Sequence, residues 1–392
     1  MRIAIDYTAA VRQRGGIGRY TRELVQALAA LDQANDYVLL VQDRPGRAEA
    51  PAPNFRLRST GLSEPWLTRL WQRLGLPLPV EVFTGPVDIF HSPDFVLPPT
   101  RRGTRTLLTV HDLSFIRDPD SAPPALRAYL ERVVPRSVAR ADHVLADSAA
   151  TRHDLITLYD VPGEKVSVLY SGVNAAFRPV RDAARLAEVC ARYGLRRPYI
   201  LSLGTLQPRK NYVRLIRAFA RARRSPALIG HQLAIAGGKG WLYEAIFTEV
   251  ERLGLRDSVL FPGFVADADL PALYSAAALF VYPSLYEGFG LPVLEAMACG
   301  TPTVVSNASS LPEVAGDAAL LVDPYDEAAL AQALEQALSD DGLRARLVAQ
   351  GFEQARRFTW AAAAGQLLGL YHRLAQRGAG AYPPTSEASS TN

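Results

Sequence analysis

Glu287 and Glu295 have seven residues between them, Gly-Phe-Gly-Leu-Pro-Val-Leu. The two glycines free the backbone to approach a ligand closely. Pro292 fits the first turn of a helix, where a missing N–H costs nothing. One carboxylate therefore falls on the loop before that helix and the other within its opening turns. Unpaired N–H groups at a helix start attract phosphate. An anion site with a carboxylate at each end suits a ligand with phosphate in the middle and hydroxyls at both ends, such as a nucleotide sugar. The competing interpretation is an ordinary loop-to-helix junction bearing two solvated acids.

Other segments carry compatible chemistry. Gly15-Gly16-Ile-Gly18-Arg-Tyr follows the first apolar run and opens a helical pattern. Its glycines permit close approach of a phosphate or sugar, but Thr21 stands where a dinucleotide fingerprint needs its last glycine, so that motif is incomplete. Arg209 and Lys210, in Gln207-Pro-Arg-Lys-Asn211, lie at a helix start, where the macrodipole repels cations. An anionic ligand would resolve the conflict, Arg forking two oxygens and Lys acting as a point charge. His111-Asp112 follows another apolar run, where an imidazole could bond a sugar hydroxyl or assist proton movement. His91, in His-Ser-Pro-Asp, has an acceptor-side reading besides the structural one, and His143 reads as structural. Six histidines without an H-x-x-x-H pair and two distant cysteines, Cys190 and Cys299, hold no metal motif. Nothing supports a serine nucleophile, and a glycosidase acid pair fits poorly around a phosphate-binding backbone.

The elements that must position these residues alternate throughout. Strands are predicted at Arg2–Asp6, Tyr37–Val41, Asp88–His91, Thr106–Val110, His143–Ala146 and Val166–Leu169, with a helix over Ile17–Leu31. The second half repeats the scheme with strands at Tyr199–Leu203, Gln232–Ala236, Val259–Phe261, Leu279–Tyr282 and Thr303–Val305. Helices are expected to begin near Asn211, Leu242, Ala268 and Pro292. This pattern means an α/β protein with two doubly wound parallel sheets. The 392 residues exceed one ordinary core. The expected units are residues 1–175 and 176–357, facing across a cleft lined by strand ends. A final helix over 358–377 either packs back on the first unit or closes the second, and a tail, 378–392, is expected to be disordered.

Composition is that of a soluble globular protein, 48% hydrophobic and 21% charged, with a formal net charge of +4. The basic balance is too thin for a nucleic-acid binder. No apolar run spans a bilayer and the N-terminus lacks a signal-peptide pattern, so a cytoplasmic location is expected. Trp66-Leu-Thr-Arg-Leu-Trp-Gln-Arg-Leu-Gly-Leu76 and the stripe Arg127, Arg132, Arg136, Arg140 have the mixture used at membrane surfaces. A buried helix edge and a solvated basic face are the respective alternatives.

Taken in order, Gly-Gly-x-Gly-Arg-Tyr, His111-Asp112, Ser171-Gly-Val-Asn174, Pro-Arg209-Lys210-Asn211 and Glu287-x7-Glu295 resemble glycosyltransferase family 4 over residues 1 to about 375. The resemblance implies the GT-B fold, two Rossmann-like domains around a cleft, and a retaining, metal-independent hexosyltransferase that uses a nucleotide sugar as co-substrate and needs no cofactor. It implies that Glu295 holds the ribose, and that Arg209 and Lys210 neutralise the diphosphate with Gly15, Gly16 and the backbone at Leu291. Glu287, Phe289 and Gly290 would meet the donor sugar, His111 the sugar near the reacting centre, and Val265 the base through its main chain. Many relatives carry arginine where Thr205 follows Gly204, and others carry Glu at Gln207. Similarity to mannosyltransferases favours GDP-mannose, with UDP-sugars still open, and the acceptor would be a glycan or lipid-linked hydroxyl, with peripheral membrane contact left open. A nucleotide-sugar epimerase of the same fold and a non-catalytic nucleotide-sugar-binding protein are the rivals.

Overall fold

The computed structural model describes residues 1–379 apart from residues 14, 43–45, 47, 64–65, 68–70 and 72–75. Its first sheet has seven strands: β1 (Arg2–Asp6), β2 (Asp36–Val41), β3 (Phe55–Ser59), β4 (Ile89–Ser92), β5 (Arg105–Val110), β6 (His143–Ala146) and β7 (Val166–Val168). They lie in the order β3-β2-β1-β4-β5-β6-β7. The second sheet comprises β8 (Tyr199–Leu203), β9 (Gln232–Ala236), β10 (Val259–Gly263), β11 (Leu279–Tyr282), β12 (Thr303–Ser306) and β13 (Leu320–Val322), ordered β10-β9-β8-β11-β12-β13. Every strand pairing is parallel. Strands of such sheets are covered on both faces and read as continuous apolar runs. Leu279–Tyr282, buried at all four positions, is an example. Two edge strands, β3 and β13, were not expected. In β3 the sequence Phe-Arg-Leu-Arg-Ser exposes its arginines, and β13 is three residues long and half open to solvent.

Each sheet has apolar clusters on both faces. The cluster beside β1 contains Leu24, Leu28, Trp360, Leu367 and Tyr371. The terminal helix, Trp360–Ala379, therefore packs on the first sheet, against the helix Gly16–Leu31. This decides between the two placements the sequence left open. The helix runs two residues into the stretch expected to be disordered, and residues 380–392 of that tail lie outside the described residues. His91 joins the helix to the sheet. Its Nδ1 lies 2.8 Å from the Tyr371 hydroxyl and its Nε2 3.0 Å from Thr109 Oγ1. Burial pulls its pKa down to about 3, so it is a neutral core histidine.

The chain passes between the domains at two adjacent places. Val173 N donates to Phe358 O at 3.0 Å. A Cβ on Gly172 would lie 2.1 Å from Trp360 N, so only glycine lets the two crossings touch.

The basic and aromatic surface segments gain only partial definition. Most of the tryptophan segment falls outside the described residues. Trp71 Nε1 donates to Leu78 O at 2.9 Å, and Leu67 is buried. In the arginine stripe, Arg127 pairs with Glu131 and Arg140 donates to the carbonyls of Leu97 and Pro98. Arg132 and Arg136 are exposed. No described helix is long and apolar enough to cross a membrane.

Candidate active site

Strand order turns between β1 and β4 in the first sheet and between β8 and β11 in the second. In doubly wound sheets, ligands bind outside the carboxyl ends of the strands at such points. The loop after β8 carries Arg209 and Lys210, and the loop after β11 carries Glu287. Topology alone therefore brings these three together.

Glu287 is the hub. Its Oε2 accepts from Arg209 Nη1 at 2.9 Å and its Oε1 from Lys210 Nζ at 2.6 Å. Lys210 also donates to the Tyr282 hydroxyl at 2.7 Å, and Arg209 to the Tyr286 carbonyl at 2.6 Å. Asp112 of the first domain stands 3.9 Å from Arg209. Burial opposes ionisation of Glu287, but Arg209 and Lys210 outweigh it and hold its pKa down to about 2. Burial pulls Lys210 downward against the attraction of Glu287. The arrangement corrects one expectation. Arg209 and Lys210 do not crowd a helix start: they lie on the short turn Pro208–Lys210, and Asn211, at φ 60°, separates them from the helix Tyr212–Ala222. Their countercharge within the second domain is Glu287 alone. The second negative charge, Asp112, comes from the first domain and stands farther off, at 3.9 Å, a place that an anionic ligand would take.

Glu295 lies on the helix Leu291–Ala298, and it too is buried. The Tyr274 hydroxyl donates to its Oε2 at 2.9 Å. Its Oε1 pairs with Arg19 of the first domain, whose other terminal nitrogen reaches Asp267 at 2.7 Å. Burial raises the pKa of Glu295, with Arg19 and Tyr274 opposing. Arg19 was not singled out from sequence. A cation in the first turn of the helix Gly16–Leu31, where the macrodipole repels it, was the available signal.

The glycines divide by role. A Cβ on Gly15 or Gly16 would meet nothing within 4 Å, whereas one on Gly18 would fall 2.0 Å from Gln13 O. Gly18 is thus required by packing, and Gly15 and Gly16 leave open space. Gly290, at φ 117°, begins the helix that carries Glu295. Phe289 turns its ring toward Tyr170 and Phe358, with centroids at 6.1 and 5.7 Å, so only its main chain remains for a ligand. Leu291 packs against both domains' cores, and the Val265 side chain is buried in the second.

His111 departs from its expected role. Its Nδ1 bonds Asp147 Oδ2 at 2.7 Å and its Nε2 bonds Pro93 O at 2.9 Å, so both ring nitrogens are engaged within the first domain. What faces the second domain is its carbonyl: a Cβ on Gly288 would fall 2.0 Å from His111 O. Burial lowers the pKa of this imidazole, but Asp147 and Asp94 reverse the effect and raise it to about 9. An unfolded histidine titrates near pH ~6.5. The raised folded value stabilises the protein fully below the unfolded pKa, and that contribution disappears as pH climbs through the folded one. Between pH ~6.5 and ~9.5 the wild type is expected to lose several degrees of Tm that His111→Asn does not lose, measured by differential scanning fluorimetry. Parallel curves for the two proteins would contradict the assignment.

Further contacts close the cleft. Trp241 Nε1 donates to Ser121 O at 2.6 Å. Glu313 accepts from the backbone N–H groups of Ala149 and Ala150 and from the Tyr170 hydroxyl.

Comparison with known proteins gives the family. Residues 14–177 match Glycosyltransferase Family 4, and residues 193–354 match Glycosyl transferases group 1. The chain is 34% identical over 371 residues to O-antigen chain mannosyltransferase B of Escherichia coli, an alignment covering 92% of this chain and 96% of that one. The chain belongs to glycosyltransferase family 4. Within the family it also resembles mannosylfructose-phosphate synthase of Agrobacterium fabrum, 37% identical over 58% of this chain and 52% of that one. Among solved structures, sucrose-phosphate synthase from Thermosynechococcus elongatus superposes with a TM-score of 0.76 at 24% identity, over 96% of this chain and 100% of that one. Anabaena Alr3699/HepE in complex with UDP and glucose gives 0.74 at 19%, over 95% and 100%. These likenesses establish the GT-B architecture. This glycosyltransferase has Thr205 after Gly204, and a Cβ on Gly240 would fall 2.6 Å from the Thr205 methyl group.

Proposed function

We propose that the protein transfers a hexose, mannose from GDP-mannose before other donors, to a hydroxyl of a glycan or lipid-linked acceptor with retention of configuration. The observation that carries this reading is the buried Arg209–Glu287–Lys210 cluster at the strand-order reversal of the second domain, 3.9 Å from Asp112 of the first. Relatives named as mannosyltransferases support the choice of sugar. The nucleotide sugar is a co-substrate, and the reading uses no resident cofactor.

In the reaction, the bond between the anomeric carbon and the β-phosphate oxygen breaks, and its electron pair stays on that oxygen. Arg209 and Lys210 stabilise the growing charge, which is electrostatic catalysis by groups already in place. The acceptor hydroxyl attacks the anomeric carbon from the leaving-group side and gives its proton to the departing phosphate oxygen. Glu287 fixes both cations and offers its remaining lone pairs to sugar hydroxyls. Glu295 would accept from the ribose. Because Arg19 and Tyr274 already bond it, the ribose must share that carboxylate or displace Arg19. Closure of the two domains keeps water from the donor.

A panel of GDP- and UDP-sugars tests the reading by thermal shift and by product mass. GDP-mannose is expected to raise Tm most, and to yield a mannosylated product with a suitable acceptor. A larger shift and turnover with a UDP-sugar would overturn the donor assignment. Interconversion of the donor without an acceptor would replace transfer by epimerisation.

A further inference from the structure

Tyr286 precedes the Glu287 hub and belongs to the second domain, yet its side chain ends in the first. Its hydroxyl donates to Asp154 Oδ2, on the helix Ala149–Tyr159. Both residues are buried. Arg117 Nε donates to Asp154 Oδ1 at 2.9 Å, so the acid arrives oriented. Arg117 ends the short helix Ser114–Arg117, which begins two residues after Asp112. One loop of the first domain therefore presents Asp112 to Arg209 and supports Asp154 for Tyr286.

The other end of Tyr286 is tied to the reacting cluster. Its carbonyl accepts from Arg209 Nη1 at 2.6 Å, and the same nitrogen bonds Glu287 at 2.9 Å. Leu285 N donates to Arg209 O at 2.8 Å, which closes a reciprocal pair between the two loops. The backbone at Tyr286 cannot shift without moving the guanidinium and the neighbouring carboxylate. The hydroxyl of Tyr286 meets Asp154 only when the domains are together, where it exchanges water for a charged acceptor.

We infer that Tyr286 is a positioning residue, whose bond to Asp154 registers domain closure at Arg209 and Glu287. This rests on the glycosyl transfer proposed above. Substrate binding in an open cleft would leave the two residues imperfectly placed, and closure would set them. Transfer is thereby linked to exclusion of water. A misplacement of about 1 Å in such a cluster can cost on the order of 100-fold in rate.

The test uses the full-length protein with Tyr286→Phe, which keeps the ring and removes only the hydroxyl, and with Asp154→Ala. Expected for Tyr286→Phe is a kcat lower by about 10- to 100-fold, with donor KM and nucleoside diphosphate Kd within about twofold of wild type. Donor hydrolysis relative to transfer should rise. The double variant should be no slower than Asp154→Ala alone, because that change already removes the Tyr286 bond together with the Arg117 bonds. Hydrogen–deuterium exchange of residues 149–159 is measured on the same proteins and needs no substrate. Tyr286→Phe is expected to lose protection there. Unchanged kcat, equal losses in kcat and affinity, or unchanged protection would each overturn the inference. If the wild type transfers no sugar, the proposed function fails by itself, and the exchange result still judges the bond.

Discussion

Lys210→Ala is expected to lower kcat for sugar transfer by about 10²- to 10³-fold, the usual consequence of removing one preorganised donor from a site of developing negative charge. The lysine is buried, and its ammonium is fixed by Glu287 at 2.6 Å and Tyr282 at 2.7 Å. It needs no reorganisation when the phosphate oxygen gains charge. Stability should fall by about 1–3 kcal/mol, because Glu287 keeps Arg209 but loses one charge-assisted bond. Circular dichroism and thermal melts must therefore accompany the kinetics. Lys210→Arg should not rescue turnover, since a planar fork cannot occupy the position of a compact ammonium between two acceptors. A folded Lys210→Ala variant with near wild-type turnover would remove the lysine from the mechanism.

Glu287→Gln tests the same cluster from the other side. It leaves the buried Lys210 and the partly buried Arg209 without their shared carboxylate, a change of the kind that costs ~3–5 kcal/mol in stability. A bound diphosphate then becomes their nearest countercharge. Nucleoside diphosphate affinity should hold or tighten, and the ligand should raise Tm by more than it does in the wild type. Sugar transfer should fall by about 100-fold, because the cations lose their fixed geometry. Calorimetry with the nucleotide and a transfer assay on one sample separate the two effects. Parallel losses in affinity and transfer would mean that Glu287 serves nucleotide binding rather than the placement of the cations.

Much of the fold was legible because parallel strands covered on both faces leave uninterrupted apolar runs. Tyr-Val-Leu-Leu-Val in β2 and Leu-Phe-Val-Tyr in β11 are examples. Edge strand β3 escaped because its arginines look like a loop. Within the site, glycine and charge at strand ends pointed to Arg209, Lys210, Glu287 and Glu295, since their types are anomalous for their local setting. Arg19, Asp154 and Tyr286 did not stand out. Their partners lie 276 residues away for Arg19 and 132 residues apart for the Tyr286–Asp154 pair, and no local spacing encodes such contacts. His111 was legible as a strand-end histidine. The direction of its ring was not, because Asp147 and Pro93 come from neighbouring strand ends.

The paired crossings at Gly172 and Trp360 limit how this molecule can move. Two lengths of backbone in direct contact, bonded through Val173 and Phe358, tie the halves at one place. The halves can swing about that point, but sliding past one another would tear the bond and jam the second strand against the first. Cutting the gene between the sheets would also strand the final helix away from the half it covers, so neither piece would be a finished protein. A bulkier residue at 172 would prop the two crossings apart and tilt the axis, and its effect would be largest at the far rim of the cleft.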